Sequence, residues 1–102
     1  MNAFPTPSRE RLTQLFLALA RIPSPSRHER EVADAVVAIL ASLGITSHED
    51  DTAQAIEGTA GNIWCTVHGE GTLPWLALGA HLDTVEPTDA IEPVLEDGVF
   101  RN

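Results

Sequence analysis

Pro74-Trp75-Leu76-Ala77-Leu78-Gly79-Ala80-His81-Leu82-Asp83-Thr84-Val85 is the stretch on which the reading of this chain turns. Its first half is apolar without alternation. A run of this length, bounded by proline and a glycine-rich turn, reads as a strand over Pro74 to His81 buried on both faces, as in the sheet of an α/β protein. The strand then runs into a histidine, with an aspartate two positions on. In extended chain, residues i and i+2 point to the same side, roughly 7 Å apart along the strand. The Asp83 carboxylate is thereby expected to reach one ring nitrogen of His81 and to leave the other as an outward lone-pair donor. Metal-binding histidines have this arrangement, because the carboxylate fixes the tautomer and raises the basicity of the ligating nitrogen. The end of a sheet strand is also where α/β proteins place their sites. His-x-Asp is nonetheless a common tripeptide, and a histidine satisfied by a neighbouring acid is its ordinary explanation.

Upstream, the period is helical. Leu12, Leu15, Phe16 and Leu19 form one apolar stripe, which predicts a helix from Ser8 to Arg21, capped by Ser8 and ended by Pro23 and Pro25. A second helix is expected over Arg27–Leu43. Ser26 and Glu29 form a capping-box pair before it, Val32, Val36, Ile39, Leu40 and Leu43 make its apolar face, and Gly44 stands at the C-cap. A weak strand follows at Ile45 to Glu49, a loop at Thr52 to Gly61, and a strand at Asn62 to Val67. Asp97-Gly98 predicts a hairpin within Val94 to Arg101. Helix, helix, then strands is an α/β or α+β pattern, taken here as α/β: two helices packed on a mixed β-sheet, with Leu12, Phe16, Leu19, Val36, Ile39, Leu40, Ile63, Leu76 and Leu78 in the core.

Composition narrows the function. The 102 residues carry a formal charge of −9, and their six cations are all arginine and scattered. Nucleic acid and anionic membrane both require clustered positive charge, so neither is the expected partner. No apolar run is long enough to span a bilayer. The single cysteine, Cys65, excludes an internal disulfide and fits a reducing compartment, and with no secretory signal a cytoplasmic protein is expected.

Other candidate groups have simpler explanations. Cys65 and His68 are three residues apart on an expected strand and so face opposite sides, which leaves packing as the role of the thiol. His48-Glu49-Asp50-Asp51 holds four potential ligands, but adjacent residues rarely converge on one ion, and a solvated loop is expected. His28 belongs to the first turn of the second helix. Ser24 and Ser26 lack the Gly-x-Ser-x-Gly context of a nucleophile elbow. Gly69-Glu70-Gly71 is a tight turn and no dinucleotide fingerprint.

Four stretches resemble, in order, segments of the zinc-dependent aminopeptidase, carboxypeptidase and aminoacylase family, and within it the peptidase T-like (tripeptide aminopeptidase) branch. Leu78 to Val85 resembles the first metal motif. Ile22-Pro23-Ser24-Pro25-Ser26, with His28-Glu29 following, resembles the loop between the first two helices. Gly61-Asn62-Ile63-Trp64 resembles a strand opening on Gly-Asn, and Ile91 to Gly98 the approach to the second metal motif. The resemblance implies that His81 is a zinc ligand and that Asp83, which orients it, counts with the catalytic residues. It implies two Zn2+ ions and a small peptide substrate in a complete enzyme, and a possible homodimer. A bridging aspartate, a Glu-Glu pair, a further acidic ligand, a distant histidine and a smaller lid domain have no counterpart here. Residues 1–102 are therefore expected to be the N-terminal portion of a metallopeptidase catalytic domain, inactive alone. The alternative is a noncatalytic α/β domain that binds a partner or persists as a gene fragment.

Overall fold

The computed structural model of the chain describes residues 4–102. Helix α1 spans Arg9–Ala20, and the Ser8 hydroxyl accepts the Arg11 N–H at 3.1 Å. Helix α2 spans Arg30–Ser42. It closes on Gly44, whose φ of +74° suits a residue without a Cβ. The Gly44 N–H donates to the Ala41 carbonyl and the Ile45 N–H to the Leu40 carbonyl, each at 2.9 Å. This is the paired closure that glycine after a helix allows, and it turns the chain back toward α2.

Strand β1, Ser47–Glu49, pairs antiparallel with β2, Ile63–Cys65, with His48 opposite Trp64. Between them lies a short helix, α3, Thr52–Ile56. The sequence reads this stretch as loop; Asp50 starts the helix instead, its Oδ1 accepting both the Thr52 N–H (3.1 Å) and the Thr52 hydroxyl (2.6 Å). Strands β3, Val94–Glu96, and β4, Val99–Arg101, form the expected hairpin. Asp97 and Gly98 both have positive φ, the conformation a two-residue hairpin turn demands. The hairpin docks on α1 through Phe100, whose ring centroid lies 4.4 Å from that of Phe16.

The α/β class holds, with the β structure in two small antiparallel ladders. Two expectations fail. Pro74 to His81 forms no ladder, and Leu76 and Leu78 are 80% and 89% exposed rather than in the core. A strand needs a neighbour for its N–H and C=O groups, and among the described residues none lies alongside. Leu12 and Phe16 are exposed as well. The buried centre is smaller: Val32, Ala33 and Ala60, with Leu19, Val36, Ile39, Leu40 and Ile63 half-buried around it. The molecule consequently exposes 8591 Å², against about 5,600 Å² for a folded monomer of its mass. Its radius of gyration is 16.1 Å, where about 13 Å is usual. Among the described residues no helix is long and apolar enough to cross a membrane.

Candidate metal-ligand site

Residues 74–81 lack a ladder, so something else must hold His81. The loop between α1 and α2 does so. Pro23 and Pro25 keep that loop out of helix, and Ser24 between them is 1% exposed. Its hydroxyl donates to the Leu82 carbonyl at 2.9 Å, and its own carbonyl accepts the Thr84 N–H at 2.8 Å and the Thr84 hydroxyl at 3.4 Å. Asp83 is thereby bracketed on both sides. Ser26 adds a bond from its hydroxyl to Asp83 Oδ2 at 2.7 Å.

The remaining carboxylate oxygen faces the histidine. His81 Nδ1 lies 2.9 Å from Asp83 Oδ1 and 2.7 Å from the Asp83 backbone carbonyl. The two side chains sit on one side, as the i, i+2 spacing requires. Both neighbours of Nδ1 are acceptors. The Ser26 hydroxyl, first, and the His81 ring, second, hold the Asp83 carboxyl below the usual carboxylate range, so it is ionised at neutral pH. Nδ1 therefore carries the hydrogen, and in the neutral ring Nε2 keeps its lone pair. The His81 side chain is 82% exposed, which leaves Nε2 accessible. Beside the pair is an open cleft of about 430 Å³, lined by Val36, Leu40, Ile63, Cys65 and Leu82.

Ser26 does not cap α2, contrary to the capping-box reading. The helix starts at Arg30 with Glu29 as its cap residue, and Glu29 Oε1 accepts the Arg27 N–H at 2.8 Å. Arg27 has a φ of +74°, and this reversal separates Ser26 from the helix. Local sequence gave no sign of the long-range bond to Asp83. The one available signal was the Ser-Pro-Ser pattern, two hydroxyls on a segment barred from helix.

The acidic run at 48–51 is structured rather than a solvated loop. His48 stacks on Trp64, with ring centroids 5.3 Å apart. The Glu49 oxygens accept both terminal Arg30 nitrogens, at 2.7 and 2.8 Å, and the Gly61 N–H at 3.2 Å. Arg30, chiefly, and that N–H hold the Glu49 carboxyl down at about 2. Asp50 takes the two Thr52 donors first and then Asn62, whose N–H lies at 2.8 Å and side-chain amide at 3.0 Å, and its carboxyl is also lowered to about 2. These carboxylates are consumed by the fold. The His68 ring meets Trp75 edge-on at 6.0 Å. Among the described residues no three histidine, cysteine, aspartate or glutamate side chains converge to hold a metal ion.

No family model matches the chain. Over 94 residues it is 34% identical to the uncharacterized protein YqjE of Bacillus subtilis, an alignment covering 92% of this chain and 25% of that protein. Its structure is similar to the crystal structure of aminopeptidase PepT from Bacillus cereus, with a TM-score of 0.78 and 29% sequence identity, over 91% of this chain and 25% of that one. The chain thus spans about a quarter of the length of each of these two proteins, and it has the fold of that quarter of an aminopeptidase.

Proposed function

We propose that this chain contributes one zinc ligand, His81, and its orienting carboxylate, Asp83, to a dinuclear zinc peptidase that hydrolyses small peptides. The observation that carries the reading is the geometry of the His81 ring, with Nδ1 2.9 Å from Asp83 Oδ1, the side chain 82% exposed and, among the described residues, no partner on Nε2. The likeness to an aminopeptidase supports it. An imidazole so held fits zinc as one ligand, since zinc takes neutral ring nitrogen and a carboxylate on the other nitrogen makes it a stronger donor. It does not fit as a whole site, which takes three protein ligands and a water in a catalytic centre.

When bound in a completed site, zinc polarises a scissile carbonyl and makes a nearby water more acidic. The chain's own part is narrower. Asp83 holds the Nδ1 proton and the ring plane, so that Nε2 is presented without a search over tautomers. The cleft edged by Leu82 and Ile63 gives an apolar wall beside it.

The test is a zinc titration of the chain followed by ring-nitrogen NMR. Zinc is expected to shift His81 Nε2 before the rings of His28, His48 and His68, weakly, and no hydrolysis of di- or tripeptides is expected with zinc, cobalt or manganese. Zinc that moves His48 or His68 and leaves His81 unchanged would overturn the ligand assignment. Metal-dependent hydrolysis lost in His81→Ala would show instead that the chain, alone or self-associated, completes a site.

A further inference from the structure

We infer that Ser26 is a positioning residue for His81, acting through Asp83. The inference rests on the ligand reading for its purpose, but the geometry and its test stand without any metal. A carboxylate beside a histidine has two equivalent oxygens and a rotatable side chain, and nothing in a His-x-Asp sequence says which oxygen faces the ring. Here one is assigned. The Ser26 hydroxyl occupies Oδ2 at 2.7 Å, and Oδ1 is left to Nδ1 at 2.9 Å. A hydroxyl bond to an ionised acceptor is among the stronger neutral-to-charged pairs. It anchors the far side of the carboxylate to a different part of the chain, fifty-seven positions earlier.

Three features make this a built arrangement. Ser26 has no helix to cap, because α2 begins four residues on. Ser24, in the same loop, ties Leu82 and Thr84 by backbone and side chain, so the loop grips the segment on either side of Asp83 as well as the carboxylate itself. Finally, residues 74–81 have no ladder to fix them. The loop grip does for His81 what a neighbouring strand does in a sheet: it sets the backbone, and Ser26 sets the side chain.

The experiment measures Asp83 side-chain scalar couplings and the His81 tautomer by NMR in the chain, in Ser26→Ala and in Ser26→Thr, with no metal present. The unsubstituted chain should show one Asp83 χ1 rotamer and His81 with hydrogen on Nδ1. In Ser26→Ala the χ1 couplings should average, and the ratio of the two tautomers should fall about threefold. The fall is partial, because the Asp83 carboxylate and carbonyl both remain within reach of Nδ1. Ser26→Thr keeps the hydroxyl and should restore both readings.

The inference is overturned if Ser26→Ala leaves rotamer and tautomer unchanged, if Thr fails to restore them, or if the unsubstituted chain carries its hydrogen on Nε2. The last outcome needs no variant, so a poorly folded Ser26→Ala does not shield the idea. Adding zinc to the same samples separates the two readings. A Ser26-dependent rotamer with no zinc effect at His81 removes the ligand assignment and leaves the positioning role. A zinc effect at His81 with a rotamer and tautomer indifferent to Ser26 does the reverse.

Discussion

Residues 27–65 hold an apolar run and several acidic side chains, residues 73–85 an apolar run and the single acid Asp83, and the two regions use them in opposite ways. In the first region α2 lies beside β1, and Val32, Ala33 and Ala60 are buried. The carboxylates of Glu49 and Asp50 are saturated by Arg30, Gly61, Thr52 and Asn62. In the second, Trp75, Leu76 and Leu78 face solvent, while Asp83 is satisfied and its partner His81 keeps one nitrogen bare. The first region engages the carboxylates of Glu49 and Asp50 in folding. The second holds that nitrogen in reserve, and a reserved lone pair on an oriented ring is what ligand chemistry requires.

The contrast breaks most visibly at Gly61. A Cβ there would collide with the Asp50 carbonyl oxygen and stand 2.7 Å from its Oδ1, against backbone that cannot move without opening the β1–β2 pairing. Gly61→Ala is expected to cost about 3 kcal/mol of unfolding free energy, the range of overpacked substitutions. Denaturant melts would read it. A loss under about 1 kcal/mol would mean that the 50–62 junction is not a fixed unit.

In the second region the largest effect falls on binding. Asp83→Asn keeps an oxygen for Nδ1 but removes the charge that makes Nε2 a better donor. Zinc affinity at His81 is expected to fall about tenfold, the lower end for lost carboxylate support, with thermal stability nearly unchanged. Equal zinc shifts in both proteins would reduce Asp83 to a spacer.

How much of this was legible in the sequence follows the same division. Helix α2, its glycine closure, the Asp97-Gly98 hairpin and the His81–Asp83 pair rest on contacts within a few residues, and periodicity or turn chemistry reveals those. Ser26 was misread because its partner is fifty-seven positions away, and the nearer Glu29 offered a plausible local one. Trp75 to Leu78 was misread for a related reason. An apolar run records that a segment is made to be covered, and it carries no information about which residues cover it. The α3 helix escaped notice because five residues are too few for a periodic signal, and its start depends on the Asp50 side chain.

Acid should weaken the first region. Glu49 has its carboxyl lowered from 4.5 to about 2, chiefly by Arg30. A depressed carboxylate contributes its stabilisation above the unfolded value and loses it as pH falls through the folded one, so the contribution is complete above about pH 4.5 and disappears between 4.5 and 2. Both side chains of the pair are partly exposed, and solvent screening holds the amount to about 1 kcal/mol. Asp50 titrates in the same direction. Urea midpoints at pH 6 and pH 3 should differ more for the unsubstituted chain than for Arg30→Ala; equal differences would place the acid sensitivity elsewhere.

The smallest expected effect is the most pointed for the comparison. Leu76 and Leu78 are among the most apolar residues in the sequence, and a reading by composition places them at the centre of the core. Their exposure says that neither is removed from water in this chain, and a side chain that is not removed from water contributes little by its burial. Leu76→Ser and Leu78→Ser should therefore each change the unfolding free energy by no more than about 0.5 kcal/mol, the ordinary range for surface positions. What should change is association, because a contiguous apolar stretch with free backbone donors and acceptors is a surface on which other chains adhere. Sedimentation over a concentration series should show the double variant less associated than the parent at equal stability. If instead either serine destabilises the chain by 2 kcal/mol or more, these leucines are packed in solution. The segment that carries His81 would then be held by a sheet, and the grip of the Ser24–Ser26 loop would be secondary.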